Sequence, residues 1–259
     1  MSKTPLILLP GTLCNQRLWR HQIEHLSDLA DITVGDLTTF PSVEAMASSI
    51  LEHAPERFAL AGLSLGGIVS LEIMRQAPER VIKLALLDTT AHPPKPEQIP
   101  AWNQLLRTAK EVGVSQVTED YLLPNLIYQH HPEKELLTQT ILTMAEEVGL
   151  MGYINQLKAV MTKPDGFEVL PAITCHTLLL VGREDLLCTV KMHQEMKERI
   201  PNAQLVILEN CGHLSSLENP EAVTRAMRIW LSHENRSEGN CSAQKNRCKA
   251  CCQTLCQSQ

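Results

Sequence analysis

Short apolar runs alternate with amphipathic segments along most of the chain. The apolar runs lie at 6–9, 32–34, 58–63, 81–87, 177–181 and 205–208. Runs of this length are typical of strands that are buried on both faces, whereas the segments between them, such as 43–53 and 65–76, have helical spacing. Strands that alternate with helices predict an α/β fold, with a mostly parallel sheet of about six or more strands flanked by helices.

The alternation stops between residues 91 and 171. Four segments with helical spacing follow one another there without a strand-like run, at about 100–112, 115–127, 132–147 and 150–161. We therefore predict an α-helical cap over 91–171, inserted between two strands of a core that is formed by 1–90 and 172–234. Open α/β sheets bind ligands at the carboxyl ends of their strands, so a cap placed there would cover the ligand site.

The end of the chain, 235–259, differs in composition from the rest. Asn, Ser, Gln, Lys and Cys dominate it, and Leu255 is its only large aliphatic residue. A segment without apolar periodicity cannot form a core, so we predict a disordered, cysteine-rich tail. Four of its thiols are close enough in sequence for a zinc site: Cys248, Cys251, Cys252 and Cys256. A second Cys-x-x-Cys pair is missing, so a frayed terminus is favoured and no metal is predicted.

Charge and hydropathy narrow the classes of partner. The net charge is −6, so the chain lacks the basic excess that is typical of nucleic-acid binding. The early apolar run at 6–9 lies between Pro5 and Pro10. It is far shorter than the roughly 20 residues of a membrane span or the core of a signal peptide. We expect a cytoplasmic protein that acts on a small molecule, with no nucleic-acid or membrane partner.

The strongest chemical signal is Gly62-Leu63-Ser64-Leu65-Gly66, which fits the pattern G-x-S-x-G. It lies between the predicted strand 58–63 and the predicted helix 65–76. A sharp strand-to-helix turn lifts the serine hydroxyl above the sheet, and the flanking glycines tolerate close backbone approach. The first helix amides, including that of Leu65, then point at an oxyanion formed nearby. A Gly/Ser turn without chemistry is the alternative, but the context favours Ser64 as a nucleophile.

A serine hydroxyl needs a general base, and His213 is the best placed of the ten histidines. It follows the last predicted strand, in a loop at the carboxyl edge of the sheet. Four others fall on predicted helices, where a histidine is more often at the surface: His21, His25, His53 and His193. A structural loop histidine is the alternative reading of His213.

The acid that orients the base is expected after a strand between the serine and the histidine. The strand 177–181 is followed by Gly182-Arg183-Glu184-Asp185. Asp185 is favoured because Gly-x-x-Asp lets the loop turn before the acid points inward, and Glu184 is the alternative. A carboxylate there holds one imidazole tautomer and stabilises the imidazolium. Either residue is also compatible with an ordinary polar turn or a helix cap.

A second oxyanion donor is expected in the loop after the first strand, Pro10-Gly11-Thr12-Leu13. Gly11 permits a tight turn, and the amide of Thr12 is the favoured donor. The alternative is an ordinary turn at the exit of a strand.

These features together resemble the α/β-hydrolase superfamily over about residues 4–233. The resemblance rests on the turn at Ser64, the Gly-x-x-Asp at Asp185, the Gly-His at His213 and the helical insertion. The layout is similar to that of carboxylesterases such as the pimeloyl-carrier-protein methyl ester esterase. One departure is Pro10, because the family usually has His before the glycine that follows its first strand.

The resemblance implies a serine hydrolase that cleaves a carboxylic ester through an acyl-enzyme and needs no cofactor. Ser64 disfavours haloalkane dehalogenases and epoxide hydrolases, which have an aspartate at this turn. Lactonase, thioesterase, carbon–carbon hydrolase and perhydrolase activities stay open, because all use the same triad. A ligand-binding protein that kept the fold and lost catalysis is the non-enzymatic alternative.

Overall fold

The computed structural model describes residues 3–233. The predicted tail at 235–259, with the four thiols considered for zinc, lies outside the described residues, as does the last residue of the predicted core, Glu234.

The sheet in this part of the chain has six parallel strands in the order β2-β1-β3-β4-β5-β6. The strands are β1 (Thr4–Leu9), β2 (Ala30–Val34), β3 (Phe58–Leu63), β4 (Val81–Leu87), β5 (His176–Gly182) and β6 (Ala203–Leu208). Each predicted apolar run is confirmed as a strand. Several strands extend beyond their apolar run because their polar ends also pair, as Asp31 of β2 does with Pro5 of β1. The strand order reverses between β1 and β3, and α/β sheets bind ligands at such a point.

Helices cover both faces of the sheet and fill the segment between β4 and β5. They are α1 (Arg20–Leu26), α2 (Val43–His53), α3 (Leu65–Gln76), α4 (Gln98–Val112), α5 (Val114–Val117), α6 (Leu123–Leu126), α7 (Lys134–Thr162), α8 (Val190–Arg199), α9 (Ser215–Glu218) and α10 (Pro220–Ser232). None of these helices has the length and the apolar character that a bilayer crossing requires.

Alternate strand residues separate two apolar clusters. Ile7 and Leu9 of β1 belong to the cluster that includes α2, α3 and α8. Leu6 and Leu8 belong to the cluster that includes α1 and α10. Successive side chains of a strand point to opposite faces, so the all-apolar strands seen in the sequence follow from burial on both sides.

The helices between β4 and β5 have an apolar cluster of their own. Side chains of α4, α5 and α7 pack together there and include Leu106, Val117 and Tyr153. Leu13, from the loop after β1, is the core residue that joins them. We propose that 91–171 forms the cap that the sequence indicates.

Two local expectations need adjustment. The predicted helices 132–147 and 150–161 meet within α7, where Gly149 has a non-helical conformation with φ 69°. The predicted helix 115–127 is divided by a π-helical turn, Thr118–Leu122. Ser42 caps α2 by accepting the amide of Ala45 at 3.2 Å. Asn219 precedes α10 but makes no side-chain capping bond.

Candidate active site

Ser64, His213 and Asp185 meet above the carboxyl edge of the sheet. Ser64 lies between β3 and α3, Asp185 follows β5, and His213 follows β6. Their side chains come from loops that are far apart in sequence but leave neighbouring parts of the same edge. The structure therefore brings the three residues predicted from the sequence into one cluster.

Ser64 has a strained backbone that both neighbouring elements hold in place. Its φ is 55° and its ψ is −115°, a region that a residue with a side chain rarely adopts. Its amide donates to the carbonyl of Leu87 at 3.0 Å, and its carbonyl accepts the hydroxyl of Thr89 at 2.7 Å. Such strain persists only where surrounding contacts maintain it, and it is common at functional sites.

The glycines around Ser64 allow β1, β3 and α3 to approach closely. A Cβ atom on Gly66 would lie 2.1 Å from the carbonyl oxygen of Leu9, and one on Gly62 would lie 2.2 Å from the carbonyl oxygen of Gly66. Both are backbone atoms held within the fold, so moving either one away would require a shift of the main chain. The turn thus requires these two glycines for steric reasons.

Two hydrogen bonds connect the three side chains. The Nε2 atom of His213 lies 2.9 Å from the Oγ of Ser64, and its Nδ1 atom lies 2.8 Å from the Oδ2 of Asp185. With the ring proton on Nδ1, His213 donates to Asp185 and accepts the hydroxyl proton of Ser64. This is the arrangement in which an imidazole can remove that proton.

The other oxygen of Asp185 is also fixed. Its Oδ1 accepts the amides of Leu187 at 2.8 Å and Cys188 at 2.9 Å. Glu184, the alternative acid, bonds elsewhere, because its side chain accepts the amide of Cys211 at 2.8 Å. Asp185 is therefore the carboxylate in contact with His213, and Glu184 connects the two loops.

Opposing effects set the pKa of the His213 ring. Burial alone lowers it, but the neighbouring carboxyl groups, Asp185 foremost through its charge and hydrogen bond, outweigh burial and raise the pKa above its ordinary value. Burial also opposes ionisation of Asp185, yet His213 and the two loop amides hold the pKa of Asp185 below its usual range. The pair therefore stabilises the imidazolium that forms when His213 takes up a proton.

Asp88 is a second buried carboxyl group that the sequence analysis missed. It directly follows β4, it is completely buried, and its φ is 43°. Its Oδ1 accepts the amide of Gly182 at 3.0 Å, and its Oδ2 is hydrogen-bonded to the hydroxyl of Ser215. Burial first, and then the charge of Asp185, raise its pKa well above the ordinary value. Through these two hydrogen bonds Asp88 connects the loops beneath the cluster.

The two expected oxyanion donors line the cavity beside Ser64. The amides of Thr12 and Leu65 donate to no atom of residues 3–233, and both residues border the same cavity as Ser64 and His213. The next residue, Leu13, has a φ of 55°, and its amide donates to the Oε1 of Gln156 in α7 at 2.9 Å. Pro10 is buried in this loop and takes the place where the family usually has His.

Glu218 and α6 hold the loop that carries His213. The Oε2 of Glu218 accepts the amides of Gly212 at 2.9 Å and Tyr128 at 2.7 Å, and its Oε1 accepts that of Leu214 at 3.1 Å. The amide of His213 donates to the carbonyl of Leu126 at 3.2 Å. The helical insertion and the histidine loop are thus joined directly.

The surface position expected for His193 is wrong. The side chain is completely buried, its Nε2 accepts the amide of Thr89 at 3.3 Å, and its Nδ1 is 3.1 Å from the carbonyl of Thr189. Burial lowers its pKa to about 4. A neutral His193 therefore fixes Thr89, whose hydroxyl in turn holds Ser64.

One group of side chains near the cluster has the geometry of a metal site. Single ligand atoms of Asp185, Cys188 and His213 lie within 4.8 Å of one another. However, Asp185 and His213 already bond to each other, and burial raises the pKa of the Cys188 thiol well above its ordinary value. A protonated thiol is a poor ligand, so this set fits a hydrogen-bonded pair better than a metal.

A cavity of about 400 Å³ lies over Ser64. Loops of the sheet form its floor. Each of α4 and α7 contributes apolar side chains from one face of the helix to the wall. Trp102 and Leu105 line it from α4, and Leu157 and Val160 line it from α7. Leu187 and Tyr121 are exposed at its edge. A volume of this size is in the range of small-molecule sites.

Comparison with known proteins agrees with this architecture. Residues 6–226 match the model of a family described as the alpha/beta hydrolase family. The chain is 25% identical over 246 residues to the pimeloyl-[acyl-carrier protein] methyl ester esterase of Vibrio campbellii, covering 88% of this chain and 94% of that protein.

Two solved structures have a similar fold. A thermophilic esterase from Thermogutta terrifontis, with malate bound, has a TM-score of 0.78 and 28% identity, over 89% of this chain and 90% of that one. An enol-lactonase from Burkholderia xenovorans has a TM-score of 0.80 and 22% identity, over 90% of this chain and 93% of that one.

Proposed function

Because the chain belongs to the alpha/beta hydrolase family and is a hydrolase, we propose that it cleaves a carboxylic ester through a covalent acyl-enzyme. Ser64 is the nucleophile, His213 the general base and Asp185 the acid that orients it. The observation that carries this proposal is the pair of hydrogen bonds that joins the three side chains, at 2.9 Å and 2.8 Å.

The reaction starts when the hydroxyl of Ser64 attacks the ester carbonyl carbon. Its proton passes to the Nε2 of His213, and the carbonyl oxygen becomes an oxyanion. Asp185 stabilises the imidazolium, which the raised pKa of His213 favours. His213 then gives the proton to the leaving alcohol oxygen, and the acyl group stays on Ser64. A water molecule repeats the sequence and releases the acid.

The amides of Thr12 and Leu65 stabilise the oxyanion in this proposal. Neither is satisfied by residues 3–233, and that of Leu65 also lies at the positive end of α3. One such donor contributes on the order of 10²- to 10³-fold in kcat. The Gln156 bond to Leu13 fixes the conformation of the loop that presents Thr12.

Esters are the proposed substrate class because two of the relatives are named esterases. The same chemistry opens lactones and thioesters, and related triads cleave carbon–carbon bonds or form peracids. A panel of simple esters, thioesters and lactones, assayed under one set of conditions, ranks these activities by kcat/KM. The cytoplasmic location and the lack of a nucleic-acid partner stay predictions.

Ser64→Ala is the direct test of the nucleophile. We expect it to lower kcat for 4-nitrophenyl butyrate by about 10³-fold or more, because the attacking oxygen is lost. Ser216→Ala is the control, since Ser216 is a buried serine whose hydroxyl has no partner in residues 3–233. Undiminished turnover by Ser64→Ala would refute the assignment.

A fluorophosphonate probe separates an enzyme from a binding protein of the same fold. An activated Ser64 forms a covalent adduct that mass spectrometry locates on the peptide containing residue 64. A folded protein that forms no adduct would favour the non-catalytic alternative.

A further inference from the structure

Lys163 is a buried cation in the cavity wall that the proposed mechanism does not use. It directly follows α7, it is only 7% exposed, and it borders the cavity above Ser64. Its ammonium group makes no ion pair or hydrogen bond with residues 3–233. A largely buried ammonium without a protein partner is costly, so this lysine suggests that a ligand in the cavity supplies the partner.

The charges around the cavity have one sign. Within the described chain no aspartate or glutamate side chain lines it, whereas Lys163, Lys95 and His92 do. This contrasts with the net charge of −6 for the whole chain. His92 is already bonded to Glu195 at 2.6 Å, and Lys95 is exposed at the surface. Lys163 is therefore the cation that is both buried and free to bind.

Lys163 lies on the same wall as the nucleophile. Ile68 borders the main cavity and a small adjoining cavity, and Lys163 borders both as well. The amide of Ile68 donates to the carbonyl of Ser64 at 3.1 Å, so the two residues are one helical turn apart. The charge of Lys163 also acts on the Cys188 thiol, and the Sγ of Cys188 lies within 4.8 Å of a ligand atom of His213. Lys163 thus borders the cavity close to the catalytic cluster.

We propose that Lys163 binds an ionised carboxylate of the substrate, so that the natural substrate is an ester with a second, anionic group. The inference rests on the proposed ester hydrolysis and adds the substrate class. A carboxylate fits better than a phosphate dianion, because the buried part of the cavity offers a single unpaired cation. Burial lowers the pKa of Lys163, and a bound carboxylate would oppose this effect by stabilising the ammonium.

Matched pairs of charged and neutral esters test this proposal. Monomethyl adipate and dimethyl adipate differ in the acyl part, and 4-acetoxybutanoate and its methyl ester differ in the alcohol part. Acid release in a pH-stat measures kcat/KM for each. The wild-type protein should prefer the charged member of at least one pair, and its preference identifies the side of the ester on which the carboxylate lies. No preference in either pair would overturn the proposal.

Lys163→Met removes the charge and keeps the length of the side chain. We expect the charged-to-neutral ratio of kcat/KM to fall 10- to 100-fold, about 1.4 to 2.8 kcal/mol, because one buried charge pair is lost. Lys163→Arg should keep most of the ratio. Lys158→Met is the matched control, since Lys158 is an exposed lysine of α7 outside the cavity lining. An unchanged ratio in Lys163→Met, or an equal fall in Lys158→Met, contradicts the role of Lys163.

A binding measurement separates this inference from the proposed function. Calorimetric titration of the Ser64→Ala protein with monomethyl adipate should show binding that a second substitution, Lys163→Met, weakens at least 10-fold. If that binding is found but the wild-type protein hydrolyses no ester, the proposed function fails and the anion site stands. If neutral esters are cleaved through Ser64 and a carboxylate changes nothing, the anion site fails alone.

Discussion

At the scale of single residues, buried carboxyl groups around His213 have different tasks. Asp185 contacts the ring, Asp88 bonds to Gly182 and Ser215, and Glu218 accepts loop amides. Their pKa values also differ in direction, because burial raises the pKa of Asp88 and Glu218 while His213 keeps that of Asp185 low. Only Asp185 is placed to hold the ring tautomer.

Neutral replacements should therefore affect Asp185 and Asp88 differently. Asp185→Asn should lower kcat by about 10³- to 10⁴-fold, because the amide favours the wrong tautomer of His213. Asp88→Asn should change kcat by less than about threefold, since the amide oxygen can still accept the amide of Gly182 and its NH2 can donate to the hydroxyl of Ser215. Steady-state kinetics on 4-nitrophenyl butyrate measures both.

The pH profile of the same variants gives a second readout. His213 must be neutral to accept a proton, and its pKa is raised above the ordinary 6.5, so wild-type kcat/KM should rise through a pKa higher than 6.5. In Asp185→Asn, the residual kcat/KM should rise with pH through a lower pKa than in the wild-type protein, because the charge that raises the pKa of His213 is gone. Equal losses of kcat in the two variants would contradict the division of tasks.

At the scale of elements, the site depends on how closely α3 lies against β1. The carbonyl of Leu9 occupies the space that a side chain on Gly66 would need. Ser64 is fixed from the other side by β4, through the carbonyl of Leu87. The serine is thus positioned by three neighbouring elements and not by its own turn alone.

Gly66→Ala should destabilise the protein far more than Gly35→Ala. The new Cβ at Gly66 would meet a backbone oxygen at 2.1 Å, whereas the one at Gly35 would meet the ends of the flexible Ile50 and Leu9 side chains at 2.5 Å and 2.6 Å. We expect a loss of about 3 kcal/mol or more for the first and about 1 kcal/mol for the second. Urea unfolding measures both, and equal stabilities would contradict the steric argument.

Elements and site differ in how far the sequence reveals them. The strands are visible because burial on both faces makes them uniformly apolar, and Ser64, Asp185 and His213 are visible because each follows a strand in a known order. Asp88 follows β4 in the same way, so the rule that found Asp185 could also have found it. Lys163 has no such signal, since its importance comes from burial and a missing partner, which only tertiary packing creates.

At the scale of the whole molecule, His193 couples the stability of the fold to pH. Its pKa is about 4 in the folded protein, against an ordinary value of 6.5. The unfolded chain therefore binds a proton as the pH falls below 6.5, and the folded protein does so only near pH 4. The contribution of His193 to the free energy of unfolding is fully present at neutral pH and is lost progressively as the pH falls from 6.5 to about 4.

Urea unfolding at pH 7.5 and pH 5 should show this coupling. We expect His193 to contribute about 2 kcal/mol to the loss of unfolding free energy between the two pH values. His193→Gln should be less stable at pH 7.5 but should lose about that much less on acidification. His53→Gln, at an exposed histidine of α2, is the control and should keep the wild-type difference. If His193→Gln loses as much unfolding free energy between the two pH values as the wild-type protein does, the coupling is disproved.

The bonds from the insertion to the catalytic loops also limit how this hydrolase can be re-engineered. Chimeras that exchange the helices between β4 and β5 are an obvious route to a new substrate range, because those helices form a large part of the cavity wall. Yet the Oε1 of Gln156 holds the loop of Thr12, and the carbonyl of Leu126 holds His213. A transplanted segment must supply both acceptors, or it will alter selectivity and slow the chemistry at the same time.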